Sequence, residues 1–221
     1  QLLRLVHEVP GVDRIRFASP HPRHVTKRMI EAMKELPKVC RHLHLPVQSG
    51  SNRVLAQMRR RHTRDDYLRL VNKLRAAMPN IALSTDMIVG FPGETDQDFE
   101  DTMSLTREVG YSSMFSFKYS ERPNTLASTR LPDDVPASDK TQRIVALQEL
   151  QKSIQAELHQ RRIGTEPEVL VDSVSRKRQS ELAGRTSENT VVNFQATPEF
   201  LGRLVKVKIT SSGPFSLHGE L

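Results

Sequence analysis

Apolar side chains recur along the first 120 residues in two rhythms, one helical and one alternating. Leu2, Leu5, Val6 and Val9 fall at helical spacing, so residues 1–9 read as the end of a helix. RIRFA (14–18) reads as a short strand, with SPHP (19–22) as the turn after it. From Thr26 to Leu36, the residues Met29, Ile30, Met33 and Leu36 share one face, and Pro37 stops the helix. RHLHLPV (41–47) is the next expected strand, and QSGS (48–51) opens a helix carrying Val54, Leu55 and Met58. Thr63 with Asp66 has the spacing of a capping box, ahead of Tyr67, Leu70, Val71 and Leu74 on one side. IALSTDMIVGF (81–91) predicts a strand, and Thr95 with Asp98 caps a helix running to about Val109. In SSMFSFKYS (112–120), Phe115, Phe117 and Tyr119 alternate as in a strand.

Strand and helix therefore alternate at roughly 35-residue spacing, the pattern of a parallel α/β arrangement. Four strands are expected over residues 1–139, and a helix precedes the first, so the natural reading is the later strands of a partial parallel barrel. The chain opens in mid-pattern and without Met, as a piece of a longer chain would. Residues 121–139 are rich in Pro, Ser, Thr and Asp and read as a crossing loop. Residues 140–162 form a connecting helix with a sparse stripe of Ile144, Leu147, Ile154 and Leu158. Residues 163–221 change texture, with PEVLVDSV, ELAGRT, TVVNF, GRLVKVKIT and FSLHGEL as short strands between turns. They predict a small all-β barrel.

Composition narrows the setting. No apolar run approaches the roughly 18–20 residues of a membrane-spanning helix, so no membrane association is expected. Lys and Arg number 33 against 26 Asp and Glu, with a pI of about 9.8, a balance that suits a polyanionic partner. The single cysteine, Cys40, permits no intrachain disulfide and points to a cytoplasmic setting. It also cannot hold an iron–sulfur cluster, which needs about three or four thiolates.

Candidate chemistry gathers in loops just after the strands, where parallel barrels place their active sites: SPHP, PVQSGS, GFPGET and YSERPNT. In GFPGET the glycines let the backbone approach a ligand, although tight strand-to-helix turns use the same residues. Cys40, His42 and His44 alternate along one strand face; this is either a metal-ligand set or polar lining of a barrel interior. The run Arg59, Arg60, Arg61 and His62, with Arg53 and Arg64, is either a phosphate site or a solvated loop. In the β segment, Lys206 and Lys208 alternate with Val205, Val207 and Ile209, and Arg176, Lys177 and Arg178 occupy a neighbouring turn. The lysines are expected outside and the aliphatic residues inside.

Taken in order, RIRFASPHP, CRHLHLPVQSGSNRVLAQM, STDMIVGFPGETDQDFEDT and FSFKYSERPNT resemble the radical S-adenosylmethionine methylthiotransferases. The segment from about 164, with GRTSENTVVNF and LHGEL, resembles that family's TRAM domain, an OB-like RNA-binding barrel. SPHP and STD favour the branch acting on isopentenylated adenosine over its threonylcarbamoyl-adenosine sister.

The resemblance implies S-adenosylmethionine and two [4Fe–4S] clusters as cofactors, with the cluster cysteines absent from these 221 residues. The chain alone is therefore expected to be inactive. It implies a methylthio group added at C2 of the adenosine just 3′ of the anticodon, with the tRNA anticodon stem-loop as partner and a monomeric enzyme. It places His44, Gln48, Ser49 and Ser51 near the cofactor's ribose and methionine ends. Ile88, Gly90, Gly93 and Glu94 would face its adenosine, and Tyr119, Ser120 and Arg122 would form the last rim. Arg176, Lys177, Arg178, Lys206 and Lys208 would meet RNA. Asn124 stands where the family usually has Gly. Two other readings remain: a free-standing RNA-binding fragment, and a metal hydrolase using Cys40, His42 and His44.

Overall fold

Three parallel strands carry the first sheet: β1 (His42–His44), β2 (Ala82–Val89) and β3 (Ser113–Lys118), in the order β1-β2-β3. The computed structural model describes residues 1–17, 20–175 and 180–221. The register sets His42 against Ala82, His44 against Ser84, Asp86 against Phe115 and Ile88 against Phe117. Leu83, Thr85, Met87 and Val89 therefore share one buried face of β2, and Ala82, Ser84, Asp86 and Ile88 the other.

The buried face packs on α2 (Lys27–Glu35), α4 (Arg64–Ala77), α5 (Asp96–Val109) and α7 (Ala137–Gln160), through Met33, Tyr67, Leu74, Leu105 and Leu147. Both expected capping boxes form, at Thr63/Asp66 and Thr95/Asp98, and Gly110 ends α5 in the left-handed region at φ 58°. α1 (Leu2–His7) and α3 (Asn52–Gln57) complete the helical layer.

Three expectations need correction. Residues 14–18 form no strand ladder among the described residues: Ile15 makes one parallel bridge with Val39, and Ala18 and Ser19 lie outside the description. Ile15 N donates to Lys38 O (2.7 Å) and Ile15 O accepts from Cys40 N (3.0 Å), and no further pair follows among the described residues. The strand expected over 41–47 closes at His44. Leu45 still donates to Ser84 O (2.7 Å), but Pro46 has no N–H, and pairing resumes where Gln48 donates to Asp86 O (3.0 Å). Inside the expected loop 121–139, Thr125 caps the short helix α6 (Leu126–Arg130), and α7 begins at Ala137 rather than 140.

The second sheet holds β4 (Glu168–Val174), β5 (Glu181–Thr186), β6 (Val191–Gln195), β7 (Leu204–Lys206), β8 (Lys208–Ser212) and β9 (Leu217–Glu220). Its order is β7-β4-β5-β6-β9-β8, so the two edge strands are neighbours in sequence, separated only by Val207. The expected strand GRLVKVKIT is thus two strands, and a chain that passes from one edge to the other in one residue curls the sheet into a small barrel. Val169, Val171, Leu182, Val192, Phe194, Val207, Ile209 and Leu217 fill it. Lys206 and Lys208 are exposed while Val207 and Ile209 are buried, as the alternation predicts.

Gly184 in β5 lies where an added Cβ would stand 2.4 Å from the backbone oxygen of Leu170 on β4. Gly184→Ala should therefore push two paired strands apart and destabilise the chain by about 2 kcal/mol. Urea unfolding of both proteins measures the difference; equal midpoints would mean that the barrel accommodates the methyl group.

Candidate functional site

The carboxyl ends of β1, β2 and β3 open onto a cavity of about 750 Å³. Of the residues singled out above, Gln48, Ile88, Tyr119, Ser120 and Arg122 line it. Gln48 is mostly buried at φ 79°, and its carbonyl accepts from Ile88 N at 2.9 Å, which joins the PVQSGS loop to β2. Phe91 and Tyr119 meet edge to face across the wall, 5.1 Å between centroids at 73°. Asn124 adopts the left-handed φ of 66°, so the turn keeps the geometry a glycine would give it.

His44 sits further down the same concave face. Its Nδ1 is 2.9 Å from Ser84 Oγ, and its Nε2 is 3.3 Å from Asp86 Oδ1. Ser49, Ser51, Gly90, Gly93 and Glu94 do not line the cavity. Ser49 Oγ faces Thr102 Oγ1 on α5, and Ser51 Oγ donates to Asp98 Oδ1 at 2.5 Å while capping α3. Glu94 turns inward: its Oε1 accepts from Gly90 N (2.7 Å) and from Arg143 Nη1 on α7 (2.9 Å). Burial pushes the Glu94 carboxyl above its ordinary range, against the Gly90 amide and Arg143, which favour the charge. These polar groups at the strand ends hold loops to helices.

Asp98 makes the densest of these contacts. Ser51 Oγ, Thr95 Oγ1 (2.6 Å), Thr95 N (2.8 Å) and the Arg53 guanidinium all donate to it. Burial raises its pKa, but these donors prevail and hold it well below the usual carboxylate range.

The cavity is also lined by Arg59 and Arg60, from the arginine run read as either a phosphate site or a solvated loop, and by Asp86, Phe91, Phe117 and Lys118, which were not singled out as site residues. Alternation along β2 places Asp86 beside Ile88 and could have found it. A larger groove, about 890 Å³, lies on the outer side between α2 and α4, away from the strand ends.

Cys40, His42 and His44 do not assemble a metal site. Cys40 is buried, both histidines turn to Ser84 Oγ (3.0 and 2.9 Å), and no group of three ligating side chains occurs among the described residues. No helix among the described residues is long and apolar enough to cross a membrane.

The β barrel sits at the opposite, amino-terminal ends of the strands. Arg14 Nη2 donates to Glu168 O (2.8 Å), Arg16 Nη2 to Thr186 O (2.6 Å), and Arg41 N, just before β1, to Ser187 Oγ (2.8 Å). Lys206 and Lys208 lie on its exposed surface, and Arg176, Lys177 and Arg178 fall outside the described residues.

Residues 1–106 match the radical SAM superfamily and residues 160–221 the TRAM domain. The chain thus carries a radical SAM segment followed by a TRAM domain. Its relatives include the tRNA-2-methylthio-N(6)-dimethylallyladenosine synthases of Chromobacterium violaceum (49% identical, 99% of this chain and 49% of that protein) and Aquifex aeolicus (47%, 100% and 49%). That of Neisseria gonorrhoeae is 45% identical over 100% of this chain and 50% of its own length. The chain spans about half the length of the curated relatives it matches. Among solved structures, coproporphyrinogen III oxidase from Escherichia coli, a radical SAM enzyme, superposes with TM-score 0.54 at 14% identity. That match covers 85% of this chain and 50% of the oxidase, and shows a shared fold.

Two histidines should make the chain acid-sensitive. Burial, reinforced by Arg16, His44 and Arg185, pushes His42 down to about 4; burial, with His21 and Arg60, does the same to His62. Each titrates at 6.5 when exposed, so between these values the unfolded chain binds more protons. Stability is full above 6.5 and declines as pH falls toward 4. The melting temperature should drop between about pH 7 and about pH 5, and His42→Gln or His62→Gln should each flatten the decline. Unchanged slopes in both variants would assign it to other groups.

Proposed function

We propose that this chain is the later barrel and TRAM portion of a tRNA methylthiotransferase acting on isopentenylated adenosine 3′ of the anticodon. The observation that carries this reading is identity of 44–49% along the whole chain to tRNA-2-methylthio-N(6)-dimethylallyladenosine synthases, beside the radical SAM and TRAM matches. The cavity at the strand ends is the site for S-adenosylmethionine. Ile88, Phe91 and Tyr119 offer apolar and aromatic walls to an adenine, and Arg59, Arg60, Lys118 and Arg122 line the cavity with one carboxylate, Asp86, a cationic excess that suits a ligand ending in a carboxylate. When bound beside an iron–sulfur cluster, that cofactor supplies radical chemistry for an unreactive C–H bond.

The residues present do not fit the clusters. One buried cysteine stands against the three or four thiolates that each requires, and no step through a cluster is derived from this chain. Sequence outside these 221 residues would supply those ligands. What these residues do is bind and orient. Gln48 and Ile88 fix the strand end, Phe91 and Tyr119 close a wall against water, and His44 Nε2 lies 3.3 Å from Asp86 Oδ1 on the concave face. A cytoplasmic monomer engaging the anticodon stem-loop completes the reading.

Ile88→Arg tests the cavity, because Ile88 faces the open side and the substitution fills the space without touching the core. In a longer protein that also carries the cluster ligands, it should weaken S-adenosylmethionine binding at least about tenfold, a difference of about 1.4 kcal/mol. Equilibrium dialysis measures it, and unchanged affinity would move the cofactor elsewhere.

The exposed Lys206 and Lys208 flank the buried Val207 on adjacent edge strands, and we assign them to tRNA phosphates. Replacing both by Ala should weaken tRNA binding across sequences and reduce the salt slope by about one unit per lost contact. Stability should stay within about 0.5 kcal/mol, since both side chains point to solvent. Filter binding at several salt concentrations decides. Equal slopes would leave this face as a solvated surface.

A further inference from the structure

We propose that Arg143, assisted by Lys140, is a positioning residue: from the start of α7 it holds the Gly90–Glu94 loop so that Phe91 and Tyr119 form the cavity wall. Neither cation lines the cavity. The inference rests on the reading of that cavity as the cofactor site.

Three observations converge on this. Arg143 and Glu94 form a buried ion pair, their side chains 8% and 1% exposed. Arg143 Nη1 reaches Glu94 Oε1 (2.9 Å) and Glu94 O (3.1 Å), and its Nη2 reaches Asp96 Oδ1 (2.7 Å). The same Glu94 Oε1 accepts the Gly90 amide, so the guanidinium, the carboxylate and the loop backbone form one chain of contacts. Second, Gly90 and Gly93 hold φ of 69° and 72°, a backbone that relaxes readily unless something fixes it. Third, the aliphatic stem of Lys140 lies over Gly90, where an added Cβ would fall 2.2 Å from Lys140 Cγ. Its Nζ stands 5.3 Å from the centre of the Tyr119 ring and pairs with Asp133 at 2.5 Å. Phe91, between the two glycines, packs on that same Tyr119 ring.

Burying an ion pair is a poor route to stability, because apolar residues of equal volume serve as well or better. What the pair provides is directional: Nη1 on the carboxylate and carbonyl of Glu94, with Nη2 on Asp96, fixes where the loop lies. The consequence falls on Phe91 and Tyr119, which meet the ligand, and reaches it only through them.

The experiment compares Arg143→Lys, Arg143→Met and the double variant Glu94→Gln/Arg143→Met, the last keeping volume without an orphaned charge. Hydrogen exchange on the chain should show the Gly90 amide losing protection in Arg143→Met, while the α4 capping box keeps its own. In the longer protein that also carries the cluster ligands, S-adenosylmethionine affinity by equilibrium dialysis should fall about tenfold in Arg143→Met and in the double variant, with partial recovery in Arg143→Lys. tRNA affinity should not move. If Arg143→Met fails to fold, the double variant carries the same comparison. Faster exchange at Gly90 with unchanged cofactor affinity would overturn the proposal and leave the pair purely structural. Ile88→Arg serves as the control: loss there with none at Arg143 refutes positioning alone, whereas no loss in Ile88→Arg refutes the cavity and this proposal with it.

Discussion

The carboxylate of Asp98 is the contact on which the rim of the first sheet depends. It stands at the third position of α5 and closes that helix's capping box, yet its other donors come from elsewhere: Ser51 and Arg53 at the start of α3. One charge thereby holds the PVQSGS loop against the helix that follows GFPGET. The loop comes so close that a Cβ on Gly50 would sit 2.3 Å from Asp101 O, and Gly50 N donates to Thr102 Oγ1 at 2.9 Å. Four donors outweigh the burial that would protonate the group, so it stays charged down to strongly acidic pH. Its contribution is present above the ordinary carboxylate pKa and fades only as pH falls through the depressed value.

With the rim fixed, the architecture separates two tasks. The cavity opens at the carboxyl ends of the strands, and the TRAM barrel is fastened at their amino ends by Arg14, Arg16 and Arg41. β2 has 8 residues, so the two ends of the sheet stand about 23 Å apart along the strand direction. α7 spans this interval. Arg143 and Lys140 grip the rim near its start, and near its end His159 Nδ1 lies 3.0 Å from Gly213 O and Ser212 Oγ donates to Gln160 Oε1 at 3.2 Å.

Much of this was legible in the residues, and the failures share a physical cause. Capping boxes are local, and both were readable from two residues three apart. Alternation is local too, and it placed Val207, Ile209, Lys206 and Lys208 on their proper faces. Which way a polar rim residue turns is a tertiary property. Ser49, Ser51 and Glu94 carry the same chemistry whether they face a ligand or a helix, and only the approach of α5 and α7 decides. Arg60 shows the converse. Read within an arginine run it could be solvated, yet the turn at Arg59, φ 55°, brings it to the cavity mouth above Asp86, where burial lowers its pKa against the pull of that carboxylate.

The concave face itself explains why the site's chemistry is graded along the sheet. Its amino end is polar, with His42 and His44 sharing Ser84 Oγ. Asp86 stands at mid-height and keeps His44 within 3.3 Å. From mid-height to the rim β3 adds aromatic rings: Phe115, level with Asp86, packs edge-on to His44 with centroids 6.1 Å apart, yet remains 60% exposed, and Phe117 is 52% exposed beside Ile88 on the neighbouring strand. Two adjacent phenylalanines in water leave apolar area whose burial is worth about 25 cal/mol per Å². A ligand or polypeptide that covers this face therefore gains hydrophobic binding at the upper end and polar orientation from Ser84, His44 and Asp86 below. The gradient gives an occupant of the concave face one preferred polarity along the strands, and it points that occupant's apolar part toward the cavity rim.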